Sequence, residues 1–363
     1  MQKESLPRNP GLWLGVNGFG RIGRLLVRQS LSSTECVVVA VNDPHMTTDQ
    51  MAYALQHDTT HGRLAGEVYV SNDKKTLHIK LESPDSLLHT IACYHLESPA
   101  EIPWSSTGVD FVVECSGKLL TSMAAKTHLR STRKVLMSHP PSDDTPVFIP
   151  RINTEKYIPQ TPIISCASCT TNALAPLLLV IDRVFGVEEC LFTTVHAVTA
   201  SQKVVDTSGQ KGCMDNIIPT STGAAQCATR VLPALADKIT GLALRVPVTD
   251  VSVIDVTVRL TNPCSGPEFL GAAIAGAAQN ELSGILGLCG SKRTASSDFK
   301  TDSRSCVVDL ESCIFLNDRF VKIVAYYDNE WAYAARLLEL CVLVENIDSS
   351  EGAPSGGYLL TAK

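Results

Sequence analysis

Leu12-Trp-Leu-Gly-Val-Asn17, running directly into Gly18-Phe-Gly-Arg-Ile-Gly23, is the stretch that decides the fold. A short apolar run meets three glycines spaced G-x-G-x-x-G, and from there Ile22, Leu25, Leu26 and Leu31 recur at a roughly helical period. Cys36 to Val41 is then almost continuously apolar, as a strand buried on both faces would be. Strand, helix and strand within about 30 residues is the size of one βαβ unit. The glycines Gly18, Gly20 and Gly23 permit a tight turn and let backbone amides approach a pyrophosphate at a helix N-terminus. Asp43 lies 20 residues after Gly23, where a carboxylate would hold a ribose 2′-hydroxyl and repel a 2′-phosphate, favouring NAD over NADP. A glycine-rich turn with no dinucleotide, and Asp43 merely opening a turn before Pro44, would read the same.

Outward from this unit, strands are expected at Asp110–Cys115, Lys134–Ser138 and Pro162–Ala167, with helical segments between them, as in a mostly parallel sheet. After Cys169 the texture changes. A helix to Val184 is followed by longer strands at Glu189–Val198, Leu242–Pro247, Val251–Leu260, Cys306–Leu310 and Phe320–Tyr327. Alternation in Ser252-Val-Ile-Asp-Val-Thr-Val-Arg259 suggests a sheet with one wetter face. The fold class is thus an α/β Rossmann dinucleotide-binding domain plus an α+β domain with a mixed or antiparallel sheet. The expected boundaries are 1–168, completed by a C-terminal helix at about 330–346, then 169–329, with a flexible tail over 347–363.

The length of 363 residues fits two domains at roughly 150 residues each. Hydrophobic residues make up 44%, enough for sizeable cores. A net charge of −6 gives no general electrostatic reason to bind nucleic acid or an anionic membrane. The nearest thing to a membrane span, Phe269 to Ala278, is too short and is broken by Gly271 and Gly276. Met1 to Pro7 has no apolar signal-type run, and 13 scattered cysteines read as reduced thiols, so a cytoplasmic setting is expected.

Ser165-Cys-Ala-Ser-Cys-Thr-Thr-Asn172 places Cys169 where a strand hands over to a helix. The positive end of the helix dipole there favours thiolate, although a buried structural thiol is the commoner fate of a cysteine. His196, near the end of an expected strand, could activate that thiol and act as acid and base, or simply make a core hydrogen bond. Spacing alone does not join the two. Cys166 and Cys169 form a C-x-x-C. A turn could bring them within disulfide reach, or Cys166 could face the core on the opposite side. No further ligands complete a zinc site, so no metal is expected.

Together these segments resemble the phosphorylating glyceraldehyde-3-phosphate dehydrogenase family. The similarity runs from about Leu12 to the helix after Trp331. It takes in Gly15 to Arg24, Val41-Asn-Asp-Pro44, Ala167 to Asn172, Thr193 to Ala197, Asn216 to Ala225, Leu244-Arg-Val-Pro247, Ser296-Ser-Asp-Phe299 and Tyr327-Asp-Asn-Glu-Trp331. The resemblance implies Cys169 as nucleophile and His196 as general base. It implies Thr199 and Arg245 as ligands of the substrate's phosphate, and Ser168, Thr170, Thr222 and Gly223 as the site of attacking inorganic phosphate. Arg21, Ile22, Asp43, Ser138 and Asn329 match cofactor contacts, with Tyr333 packed against the nicotinamide. The implied reaction is NAD-dependent oxidation of glyceraldehyde 3-phosphate to 1,3-bisphosphoglycerate through a Cys169 thioester, in a homotetramer.

Four departures bear on that implication. The stretch Thr207 to Asp215 is shorter than the family's loop and lacks its arginine, leaving Lys211 as the basic replacement; a point charge is no fork. Ser208 stands where NAD-specific relatives usually have proline, which removes one argument against NADP. His139 replaces a smaller residue and would either crowd a pocket or, as expected here, point into solvent. Cys166 occupies a usual asparagine position. The alternatives to the main reading are a low-activity paralogue that binds or senses redox state, and a dehydrogenase of another phosphorylated aldehyde such as erythrose 4-phosphate.

Overall fold

A computed structural model describes residues 11–83, 87–199, 202–290 and 294–352. Strand β1 (Leu12–Asn17), helix α1 (Arg21–Ser30) and strand β2 (Cys36–Asn42) form the expected unit, followed by α2 (Thr48–Gln56) and a two-residue pair, β3 (His57–Asp58) with β4 (Gly62–Arg63). Then come β5 (Gly66–Val70), β6 (Thr76–Leu81), β7 (His89–Tyr94), β8 (Phe111–Glu114), short α3 (Ser122–Ala125), β9 (Lys134–Met137) and β10 (Ile163–Ser165). They build one sheet in the order β10-β9-β8-β1-β2-β7-β6-β5. Its six strands from β10 to β7 are parallel, and β6 and β5 extend the edge antiparallel. The cleft lies at the carboxyl ends beside β1, between β8 and β2, where α/β sheets hold ligands.

Helix α4 (Cys169–Phe185) leads into a second sheet made of β11 (Val187–His196), β12 (Ile218–Ser221), β13 (Ile239–Arg245), β14 (Ser252–Leu260), β15 (Leu286–Cys289), β16 (Cys306–Asp309), β17 (Ile314–Asn317) and β18 (Phe320–Tyr327). Its order is β12-β13-β11-β14-β18-β16-β15, with β17 also on β18. Pairings are mostly antiparallel, but β13 runs parallel to β11 and β15 to β16. Helices α4, α5 (Ala224–Val231) and α6 (Pro267–Gln279) bury apolar residues against its inner face.

The last helix, α7 (Trp331–Gly352), returns to the first sheet, where Tyr333, Leu337, Leu340 and Val344 share a core with Leu14, Leu25 and Leu26. It continues past the point where a tail was expected. Asp348 is buried, accepts hydrogen bonds from Tyr157 Oη and the Gln160 N–H, and pairs with Lys134, so this turn is anchored rather than loose. Residues 353–363, the rest of the expected tail, lie outside the described residues.

Candidate active site

A cleft of about 680 Å³ runs from the carboxyl end of β1 to the start of α4 and is lined from both sheets. At its first end the glycine turn is sterically required. Gly18 has φ +98°, and a Cβ there would lie 2.7 Å from backbone atoms of Cys115 and Ser116. A Cβ on Gly23 would come within 2.1 Å of the Gly18 carbonyl. Gly20 meets nothing within 4 Å, so its face at the head of α1 is open to a ligand's phosphates. The floor is a buried polar ladder across three strand ends. Asn42 Nδ2 donates to Asn17 Oδ1, Asn17 Nδ2 to Glu114 Oε2, and Asn42 Oδ1 accepts from the Leu96 N–H. Burial opposes ionisation of Glu114, but hydrogen bonds from His128, Ser116 and Asn17 outweigh it and hold its pKa down. Asp43 lines the cleft with Oδ2 accepting from the Phe19 N–H and Oδ1 from the His45 N–H, each at 2.9 Å. These features fit an adenosine ribose and pyrophosphate.

At the other end the structure brings Cys169 and His196 together. Ala167 takes the left-handed conformation (φ 57°), which an alanine adopts only when its surroundings hold it there. Ser165 Oγ accepts from its N–H and Tyr333 Oη donates to its carbonyl. Ser168 then caps α4 through the Thr171 N–H, and Cys169 opens the helix. Cys169 Sγ lies 3.5 Å from His196 Nε2, while His196 Nδ1 donates to the Ala197 carbonyl at 2.7 Å. That second bond fixes the tautomer and leaves Nε2 as an acceptor facing the thiol. Burial, then the neighbouring Arg245, push His196 down to about 4, so the ring is a neutral base. Burial pushes the Cys169 thiol up to about 11, against the opposing pull of Thr170 and Arg245. In the free cleft, burial therefore outweighs the preference for thiolate expected of the helix end.

Cys166 points elsewhere. Its thiol is fully buried beside Asn172 Oδ1 at 3.9 Å, in the core of the first sheet, so it is packed as a structural thiol.

The residues expected to hold phosphates at this end all line the cleft: Ser168, Thr170, Thr199, Thr222, Gly223 and Arg245. Their side chains are not equally available. Thr170 Oγ1 is committed to Tyr327 Oη at 2.9 Å, and Thr222 Oγ1 accepts from the Ala224 N–H at the head of α5. Gly223 is the N-cap of that helix. Arg245 keeps a buried guanidinium nitrogen with no hydrogen-bond partner among the described residues, which suits an incoming phosphate. Lys211 does not reach the cleft. It is exposed and paired with Asp206 at 2.7 Å.

The expected cofactor contacts Ile22, Ser138, Asn329 and Tyr333 line the same cleft. Asn329 Oδ1 accepts from Ser252 Oγ, which leaves its amide NH2 as the group it can offer. Arg21 lines the cleft too, but its guanidinium reaches across to the second sheet, to the Val198 carbonyl and to Glu330. His139, expected in solvent, instead lines the cleft with Nε2 buried. Its carbonyl accepts from Ser165 Oγ, which ties this segment down beside β10.

Sequence reasoning missed a buried ion cluster behind Asn329. His61, on the β3–β4 turn, has its ring nitrogens 3.4 Å from Asp58, 3.3 Å from Asp250, 3.8 Å from Asp328 and 3.9 Å from Glu330. Burial alone would lower its pKa, but Asp250, Asp328 and Asp58 outweigh it and push it up to about 11. Burial raises Glu330 to about 7 despite Arg21. His61, Asp250 and Glu330 have donor atoms within 4.8 Å of one another, a spacing that suits a cation as well. An imidazolium already satisfies it. The members come from three segments far apart in sequence, so no local pattern announced them.

Residues 12–122 match the family described as glyceraldehyde 3-phosphate dehydrogenase, NAD binding domain, and residues 168–329 match its C-terminal domain. The chain is 42% identical over 341 residues to glyceraldehyde-3-phosphate dehydrogenase 2 of Schizosaccharomyces pombe, covering 92% of this chain and 98% of that protein. It is 44% identical over 340 residues to the cytosolic glyceraldehyde-3-phosphate dehydrogenase of Gracilaria gracilis, with the same coverage. Identity to glyceraldehyde-3-phosphate dehydrogenase 3, cytosolic, of Oryza sativa subsp. japonica is 44% over 333 residues, covering 90% of this chain and 96% of that one. With a dinucleotide cleft at one end and a paired thiol and imidazole at the other, this chain belongs to the glyceraldehyde-3-phosphate dehydrogenase family.

Proposed function

We propose that the protein oxidises glyceraldehyde 3-phosphate with NAD and inorganic phosphate, giving 1,3-bisphosphoglycerate. The observation that carries this is the Cys169–His196 contact, in which the imidazole is held as an acceptor facing the thiol. His196 takes the thiol proton as sulfur bonds to the aldehyde carbon, then returns it to the oxygen, giving a hemithioacetal. His196 next removes that hydroxyl proton as a hydride departs, leaving a thioester on Cys169. When bound, the nicotinamide of NAD supplies the hydride acceptor. Phosphate then adds to the thioester carbon, the Cys169 thiolate leaves, and the product is an acyl phosphate. Arg245 and Thr199 hold the substrate's own phosphate. Ser168, Thr170, Thr222 and Gly223, at the heads of α4 and α5, receive the attacking one. Asp43, Ser138, Ile22 and Asn329 orient the cofactor, and Tyr333 fixes the turn that carries the nucleophile.

The two sheets support a division into 1–168 with α7 for the cofactor and 169–329 for the chemistry. A cytoplasmic setting is supported by the names of two relatives. Among the described residues no helix is long and apolar enough to cross a membrane. Self-association is supported by exposed Leu191 and Leu242 on the neighbouring strands β11 and β13 and by Ile217 just before β12, and the number of four subunits rests on the family resemblance. The test is NADH formation by the purified protein with glyceraldehyde 3-phosphate and, separately, erythrose 4-phosphate, at varied phosphate. No NADH with either aldehyde overturns the proposal, and a clear preference for erythrose 4-phosphate reassigns the substrate.

A further inference from the structure

The loops after β2 and β8 flank β1, and they bring two side chains together at the adenosine end of the cleft. Lys118 Nζ lies 3.2 Å from His45 Nε2, and both residues line the cleft beside Asp43. An ammonium has no lone pair, so Nζ donates and the imidazole accepts. The arrangement is built from below. Buried Glu114 holds Ser116 through its N–H, and Ser116 Oγ accepts from the Lys118 N–H at 3.2 Å.

Of the cleft's lysines and arginines, Arg245 lies at the reactive end and Arg21 is bound to Glu330 and a carbonyl across the cleft. That leaves Lys118 at the adenosine end. Among the described residues its partner there is an imidazole rather than a carboxylate, unlike Lys211 on Asp206 or Lys74 on Asp49, so no ion pair among them neutralises its charge. Asp43 is pinned by two backbone N–H groups and keeps its preference for a free ribose 2′-hydroxyl, and Glu97 adds a second negative group to the lining.

We propose that Lys118, seated on His45 beside Asp43, is a specificity-determining residue that lets the cleft accept a dinucleotide phosphorylated at the adenosine 2′-position as a second, weaker cofactor. The phosphate takes the ammonium's remaining N–H bonds, while Asp43 keeps the unphosphorylated form ahead. This rests on the reading of the cleft as a dinucleotide site.

The probes are adenosine 5′-monophosphate and adenosine 2′,5′-bisphosphate, with dissociation constants measured calorimetrically on the full-length protein and on Lys118→Met and His45→Ala. Lys118→Met should weaken the bisphosphate roughly tenfold, the scale of one charged hydrogen bond, and shift the monophosphate far less. His45→Ala should cause a smaller loss with the same selectivity. Equal weakening of both probes would place Lys118 on a group they share, and no change in either would remove it from the site. Both results overturn the proposal. If the unmodified protein binds the monophosphate but not the bisphosphate, the 2′-site alone fails; if it binds neither, the dinucleotide reading fails with it.

Discussion

Replacing His61 by glutamine should cost the fold more than any exposed substitution, because it strips the imidazolium from among four carboxylates and leaves only the outer pairs of Arg21 with Glu330 and Arg24 with Asp58 among the described residues. At 3.3 Å and an effective dielectric of about 20, the His61–Asp250 attraction alone is about 5 kcal/mol. Part of that offsets desolvation, and removing one partner from a buried pair typically costs roughly 3–5 kcal/mol. We expect a loss of that size at pH 7, read from urea unfolding followed by tryptophan fluorescence, since Trp331 stacks on His61 at 5.7 Å. The pH dependence separates charge from packing. His61 titrates at about 11 in the folded protein against an ordinary 6.5. A raised pKa means the stabilisation is fully present below pH 6.5 and is lost as pH rises through 11. The gap between wild type and variant should therefore narrow by more than half between pH 7 and pH 10. His61→Phe, which keeps a ring against Trp331 without the charge, should lose as much as His61→Gln at pH 7. A loss under about 1 kcal/mol, or one that is the same at pH 7 and pH 10, refutes the reasoning.

Cys169→Ser should abolish NADH formation, and His196→Asn should slow it roughly 10²–10⁴-fold while NAD binding persists. A variant of either kind that keeps near-normal turnover places the chemistry elsewhere. With Asp43 pinned beside the ribose site, NAD should exceed NADP in kcat/KM, and Asp43→Ala should narrow the difference; equal use of both by the unmodified protein contradicts this. Because Lys211 is tied to Asp206 outside the cleft, the phosphate concentration for half-maximal rate should exceed that of relatives with an arginine in this loop. Ordinary phosphate saturation would show that another group does that work.

The first βαβ unit was legible because its signals are local: an apolar run, glycines whose missing Cβ atoms are sterically demanded, and an acid at the next strand end. The antiparallel edge was not. In β5 and β6 exposed and buried residues alternate over short spans, as in Gly66–Val70, where packing decides more than propensity. The apolar run from Phe269 reads only as too short for a membrane span, and nothing in it reveals that it forms α6. Cys169 and His196 were each legible as candidates, but their pairing depends on the end of β11 meeting the head of α4, a tertiary fact. His139 was expected in solvent rather than crowding a pocket, yet the Ser165 bond to its backbone holds it in the cleft. The last turns of α7 were hidden by a polar sequence that looks like a tail until Asp348 meets Lys134 and Tyr157.

One short segment ties these features together. Between Tyr327 and Tyr333 the chain passes from the second sheet back to the first and meets the Cys169–His196 end of the cleft and the His61 cluster. Tyr327 Oη hydrogen-bonds both Thr170 on α4 and Thr194 on β11, so the helix opened by Cys169 and the strand ending in His196 share one partner. Asp328 accepts from the N–H groups of Thr301, Glu330 and Trp331 and faces His61. Asn329 sits between these anchors with its carbonyl oxygen on Ser252, whose Oγ also accepts from the Ala197 N–H next to the histidine. Tyr333 closes the path by holding Ala167 in the left-handed turn before Cys169. Asn329 is thus linked through Ser252 to the residue after His196, and through the short run to Tyr333 to the turn before Cys169. The His61 cluster, through Asp328, packs against the segment that carries both of these links.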